Sequence, residues 1–183
     1  MVGHFKEAGP RVITAAREQA PVVVFSDGAC EDNGTTVGAV LFDPEDVSGE
    51  CFGAKLSDAT INEWKTRLNQ SQVIGQAEIF PLLLARLTWG DKLRNRRVLY
   101  FIDNEAARIG LVRAYSPVLP SLTLIMACLG WDYANNSQAW FARVSSYSNI
   151  ADGPSRMELL DPAVARAVPP VFPEGHRPDV ILN

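Results

Sequence analysis

With 183 residues, 47% of them hydrophobic, the chain is long enough to bury the core of one ordinary domain. A formal charge of −4 argues against a broad basic face, so any contact with nucleic acid must rest on local patches or on metal ions. No apolar run reaches the roughly 18–20 residues that cross a bilayer, and the opening MVGHFKEAGPR lacks the apolar region of a secretory signal; the expectation is an intracellular protein, cytoplasmic or nuclear, that is not secreted and contacts no membrane.

In chain order, residues 1–20 read as an N-terminal extension. Residues 21–27 form a β-branched run too apolar for an edge strand. VGAVLF (37–42) and ECFGAKL (50–56) follow Gly, Asn, Asp and Pro turn signals, so a three-stranded antiparallel meander is expected. TINEWKTRL (60–68) offers Thr60 and Glu63 as a capping box and sets Ile61, Trp64 and Leu68 on one face of a short, inserted helix. A longer helix is expected over 73–89, with Ile74, Ala77, Leu84 and Leu87 sharing a face and Pro81 kinking or delaying it. VLYFI (98–102), closed by Asp103, is a second fully buried strand, and Asn104 is placed to cap a helix NEAARIGLVRAY with Ile109 and Val112 inward. Leu122, Ile125, Met126 and Leu129 mark a helix over 118–131, AWFARV (139–144) a last strand, and 153–160 a short helix. The expected folded domain is 21–160; beyond it a proline-rich tail, 161–183, should cross the surface in extended form. Cys30, Cys51 and Cys128, odd in number and with no CxxC pair, read as reduced, mostly buried thiols.

Three strands, helix, strand, helices, strand, helix describe an α/β fold. The sheet should be mixed and five-stranded, a three-stranded antiparallel meander plus two crossover strands, with helices on both faces. Right-handed crossovers set the strand ending at Asp103 beside the strand ending at Asp27. Four acids stand where elements begin or end: Asp27 after PVVVFS, Glu78 at the head of IFPLLLARL, Asp103 after VLYFI, and Asp152 within SNIADGPSR. Such a fold can bring all four to one point, and oxygen ligands without histidine suit a hard cation. Each also has a plainer role, since an aspartate at a strand end commonly makes a turn or caps a helix. Glu78 is harder to explain that way, because it follows Ala77 at the edge of an apolar face where an uncompensated charge is costly.

The residues carry a resemblance. SDGACEDNGTTVGAVLF resembles the first hairpin of type 1 ribonuclease H domains, in which an Asp-Gly-Ser or Asp-Gly-Ala turn carries the first catalytic aspartate. GQAEIFPLLLAR resembles the glutamate helix of that family, and VLYFIDNEAARIGL its strand with Asp followed by Ser or Asn. SNIADGPSR resembles its closing Asn-x-x-Ala-Asp loop, in the form seen in retroelement reverse-transcriptase ribonuclease H domains. The similarity spans about 21–156. It implies a ribonuclease H-like fold and an endoribonuclease hydrolysing the RNA strand of RNA/DNA hybrids, with Asp27, Glu78, Asp103 and Asp152 as catalytic ligands of two Mg²⁺ ions, or of Mn²⁺ in their place. It also implies weaker substrate contacts at Gly28, Ala29, Cys30, Asn33, Asn104, Ser146 and Asn149, a monomer, and a link to a reverse transcriptase or larger polyprotein.

The chain departs from that family in two places. Many type 1 enzymes carry a histidine in the loop before the last aspartate, whereas His4 and His176 lie in the terminal segments and the equivalent loop reads SSYSN. The basic substrate-gripping protrusion is not evident either; Lys92, Arg94, Arg96 and Arg97 read as a solvated helix end and loop. Two other readings stand beside the first: a domain of this fold without turnover that serves as a binding or scaffold module, and a nuclease of this fold acting on another nucleic acid.

Overall fold

The computed structural model describes residues 19–32, 34–68 and 72–182. β1 (Val22–Glu31), β2 (Gly34–Phe42) and β3 (Gly49–Leu56) form the expected antiparallel meander. β4 (Arg97–Ile102) lies parallel to β1, and β5 (Gln138–Arg143) parallel to β4. Two further short strands come from the tail: β6 (Ala165–Ala167) pairs with the start of β3 and β7 (Pro178–Ile181) with its end, so the sheet has seven strands rather than the expected five, in the order β5-β4-β1-β2-β3-β6 with β7 also paired to β3. The tail therefore does more than cross the surface. It occupies an edge of β3 that would otherwise present unpaired backbone groups, and it is tied down by a hydrogen bond from Val171 N–H to Thr88 Oγ1 (2.9 Å) and by Phe172 and His176 packed on the Phe80 ring.

Six helices are described: α1 (Asp58–Leu68), α2 (Ile74–Thr88), α3 (Gly90–Leu93), α4 (Glu105–Arg113), α5 (Leu119–Ala134) and α6 (Asp152–Ser155). Residues alternate along β1, so Val22 and Val24 enter the large core under α2 and α5, whereas Phe25 and Asp27 face the side on which α6 lies. Helices thus cover both faces. β1 and β4 pair from Val22↔Val98 to Ser26↔Ile102, and the next rung in this register is Asp27 beside Asp103.

Several local expectations shift. Ser57, not Thr60, caps α1: Thr60 N–H donates to Ser57 Oγ at 3.4 Å, and Thr60 itself is buried. Ile61 and Trp64 are buried as expected, while the side chain of Leu68 lies outside the described set. Pro81 sits inside α2 without ending it. Ile74 is exposed and Leu87 half-buried, since the whole middle of α2 from Gln76 to Arg86 is sunk in the core and its ends lie over the rim. In α4 the inward residues are Ala107, Gly110 and Leu111; Ile109 is half-buried and Val112 exposed. The Asn104 cap, whose Oδ1 accepts from Ala107 N–H at 3.0 Å, fixes the phase of that helix. In α5 the inward set is Leu124, Ile125, Cys128 and Asp132 rather than Leu122, Met126 and Leu129, because Asp132 turns inward to meet the buried Arg86. The basic cluster is structural as well: Lys92 pairs with Asp46, Arg94 Nε donates to Asn135 Oδ1 (3.2 Å), and Arg96 pairs with Asp43 (3.1 Å) and donates to Ala20 O (3.1 Å).

Candidate metal centre

Asp27 lies within β1, one residue before Gly28, Asp103 follows β4 directly, and Glu78 projects from the second turn of α2. Carboxylate oxygens of the three lie within 4.8 Å of one another. Two packing features make this convergence possible. A Cβ built on Gly28 would lie 2.3 Å from the main-chain oxygen of Ala77, so glycine is what lets β1 touch the backbone of α2 and bring Glu78 to the end of the sheet. Pro81, four residues on, has no N–H to occupy that same carbonyl. On the opposite face, a Cβ on Gly38 would lie 2.3 Å from Ser155 N, so glycine in β2 seats the α6 turn directly against the sheet beneath Asp27.

Asp27 and Glu78 are each only 6% exposed, and Glu78 Oε2 and Asp103 Oδ1 are buried oxygens with no hydrogen-bond partner. Unsatisfied buried carboxylate oxygens are costly, and a cation held by the three acids would offset that cost. Burial, followed by repulsion from Asp27 and Asp103, pushes the Glu78 carboxyl up to about 8, against a smaller opposing effect of a hydrogen bond from Asn104. Burial also raises the pKa of Asp27; the hydrogen bond from Ser155 opposes it, and Asp103 and Asp152 reinforce it. Oxygen donors alone, in a cluster that repels itself, fit a hard divalent ion such as Mg²⁺ or Mn²⁺.

The fourth predicted acid stands apart from the triad. Asp152 opens α6, and its half-exposed carboxylate accepts from Arg156 Nε at 3.0 Å, while Arg156 also pairs with Glu31. Its charge still reaches Asp27. Asn149 is buried: Nδ2 donates to Ser26 O (3.0 Å) and Oδ1 accepts from Ala151 N–H (3.2 Å), which pins the closing loop to β1. That places it under the loop as an anchor. Ser146 is exposed in a single 3-10 turn (Ser146–Ser148) that also displays a fully exposed Tyr147. Asn104 both caps α4 and hydrogen-bonds Glu78. Gly28 and Ala29 are buried within β1, and Asn33 lies outside the described residues. Cys30, expected among mostly buried thiols, is exposed, whereas Cys51 and Cys128 are buried. It lines a groove of about 480 Å³ beside the end of β1 with Glu31, Thr35, Lys65 and Val73. Ser155 was not foreseen: its hydroxyl donates to Asp27 Oδ2 at 2.5 Å. The only hint in the sequence is its place three residues after Asp152, and nothing there tells that the turn folds under Asp27.

Among solved structures the chain is similar to RNase H1 from the halophilic archaeon Halobacterium salinarum NRC-1, with 18% identity and a TM-score of 0.56 over 75% of this chain and 96% of that one. The chain has a ribonuclease H-like fold. A second likeness, to the N-terminal RNase H domain of a Mycobacterium tuberculosis protein fused to maltose binding protein, has 14% identity and a TM-score of 0.53 over 74% of this chain and 91% of that one. No protein-family model and no curated protein matches the sequence. No helix among the described residues is long and apolar enough to cross a membrane.

Proposed function

We propose that this chain is a metal-dependent endoribonuclease that hydrolyses the RNA strand of RNA/DNA hybrids. The observation that carries the reading is the convergence of Asp27, Glu78 and Asp103 from three separate elements, with an unpartnered Glu78 oxygen buried among them. The likeness of fold to RNase H1 supports the same class of substrate. Asp27, Glu78 and Asp103 would hold the ions, Mg²⁺ in the first place, and Asp152 would complete the set by leaving Arg156. When bound, two divalent ions neutralise charge at the attacking water and at the departing oxygen of a phosphodiester. Asn104 orients Glu78, Asn149 fixes the loop that carries Asp152, and the groove beside Cys30 and Lys65 offers a path for a strand leaving the site. The reading includes a monomeric catalytic domain over 21–160 and work inside the cell, alone or as part of a reverse transcriptase or larger polyprotein.

One observation favours the alternative of a binding or scaffold module: the Asp152 carboxylate is already matched by Arg156. A single assay separates the two. Purified protein with Mg²⁺ or Mn²⁺ is given a labelled RNA/DNA hybrid, single-stranded RNA, duplex RNA and duplex DNA, beside the Asp27→Asn variant. Selective cleavage of the hybrid, absent from the variant, is the expected outcome. Hybrid binding without cleavage under either metal supports the module, and equal degradation of all four substrates indicates another nuclease class.

A further inference from the structure

We propose that Ser155 is a positioning residue for Asp27, an inference that rests on the metal-dependent reading above. Ser155 is fully buried, and it stands at the end of the one turn of α6 that is pressed against the backbone of β2 at Gly38. Its hydroxyl lies 2.5 Å from Asp27 Oδ2 and 2.9 Å from the main-chain oxygen of Asp152, with one proton to give and two acceptors within reach. A charged carboxylate is the stronger acceptor, so in the metal-free protein the proton goes to Asp27 and fixes the direction of its carboxylate. When Asp27 turns an oxygen toward a cation, the hydroxyl keeps a partner by rotating to Asp152 O, and no buried donor is orphaned. Ser155 can therefore hold Asp27 in place without competing against the ion.

The same turn begins with Asp152, whose N–H donates to Asn149 O at 3.0 Å. Ser155 N–H donates to Ala151 O (2.9 Å), and Asn149, two residues before Ala151, is bonded to Ser26 O next to Asp27. The chain from Ser26 to Asn149 to Ser155 and back to Asp27 is closed. It holds the first aspartate and the last in one spatial frame, an outer-shell arrangement of the kind that orients ligands in metal sites.

The test titrates Mg²⁺ and Mn²⁺ by calorimetry into the full chain, its Ser155→Ala variant and its Ser155→Cys variant, with metal-free melting temperatures measured alongside. The expected result is a fall in metal affinity of about 10–100-fold for Ser155→Ala at a nearly parental metal-free melting temperature, with Ser155→Cys between the two because a thiol is a weak donor. Raised metal concentration should restore hybrid cleavage to Ser155→Ala and not to Asp27→Asn. Parental affinity in a folded Ser155→Ala, or in Ser155→Cys if the alanine variant does not fold, overturns the positioning role and leaves the nuclease reading standing. If the parent chain itself takes up no metal, the metal-dependent reading fails and this inference falls with it.

Discussion

Glu78 is the residue whose charge the fold treats most harshly. Its carboxyl titrates near 8 in the folded chain, from an ordinary value of 4.5, chiefly because it is buried and then because Asp27 and Asp103 repel it. Between those two values the folded state holds a proton that the unfolded chain has released. The associated stability is therefore complete below about 4.5 and is lost as pH rises toward 8, at up to about 1.4 kcal/mol per pH unit. The raised pKa of Asp27 adds a loss of the same sign. Urea unfolding of chelator-treated protein between about pH 5 and pH 8 should show stability falling, and Glu78→Gln should flatten the fall; a rising slope in the parent would exclude this account. Metal must displace the same proton, so its affinity should climb with pH over that window, by about tenfold per unit for one proton released. The triad was legible because each acid closes or opens an apolar run. Ser155 and Arg156 were not, since their placement comes from a four-residue turn seated on Gly38 of β2 and Gly53 of β3, where a Cβ would lie 2.3 Å from Ser155 N and from Pro154 O respectively.

At the level of elements, period and apolarity located β1, β2, β3, β4 and β5, and the parallel register of β1 with β4 follows from two buried strands joined by crossovers. Faces were harder. α4 and α5 each offer more than one apolar stripe, and the choice between them was made by tertiary partners invisible in a local window: the Asn104 cap for α4, and Arg86 drawing Asp132 inward for α5. The tail strands carry little local signal because they are three and four residues long, in a segment punctuated by prolines, and their pairing is set by the edge of β3. The contact between β1 and α2 gives a direct test. In Gly28→Ala the new methyl would press on backbone at Ala77, and backbone cannot swing aside as the end of a side chain can. The expected cost is about 1–3 kcal/mol in urea unfolding. Because relief requires α2 to draw back and carry Glu78 with it, the stabilisation conferred by Mn²⁺ should shrink as well. Unchanged metal stabilisation in a destabilised Gly28→Ala would show that α2 does not set the position of Glu78.

Across the whole molecule, two buried electrostatic systems sit at different depths of one core and behave oppositely. The triad at the end of the sheet keeps one unpartnered oxygen on Glu78 and one on Asp103, whereas both oxygens of the acid inside the core are paired. Arg86 is fully buried and donates to both oxygens of Asp132 (2.9 and 2.8 Å) and to Leu82 O (2.9 Å), with its guanidinium 4.3 Å from the centre of the Tyr100 ring. This pair fastens α2 to α5 and thereby holds α2 against β1 from behind. Breaking one partner strands the other in the core: Asp132→Ala should cost about 3–5 kcal/mol. Replacing both by apolar residues of similar volume, Arg86→Met with Asp132→Leu, removes the stranded charge and should recover most of that loss. Chemical denaturation of the single and double variants measures both quantities. Metal affinity then tells whether the pair serves more than stability. If the double variant is stable yet binds Mn²⁺ as the parent does, apolar packing alone suffices to hold α2 in register; if it is stable but binds weakly, the directional hydrogen bonds of Arg86 set the height at which Glu78 meets Asp27 and Asp103.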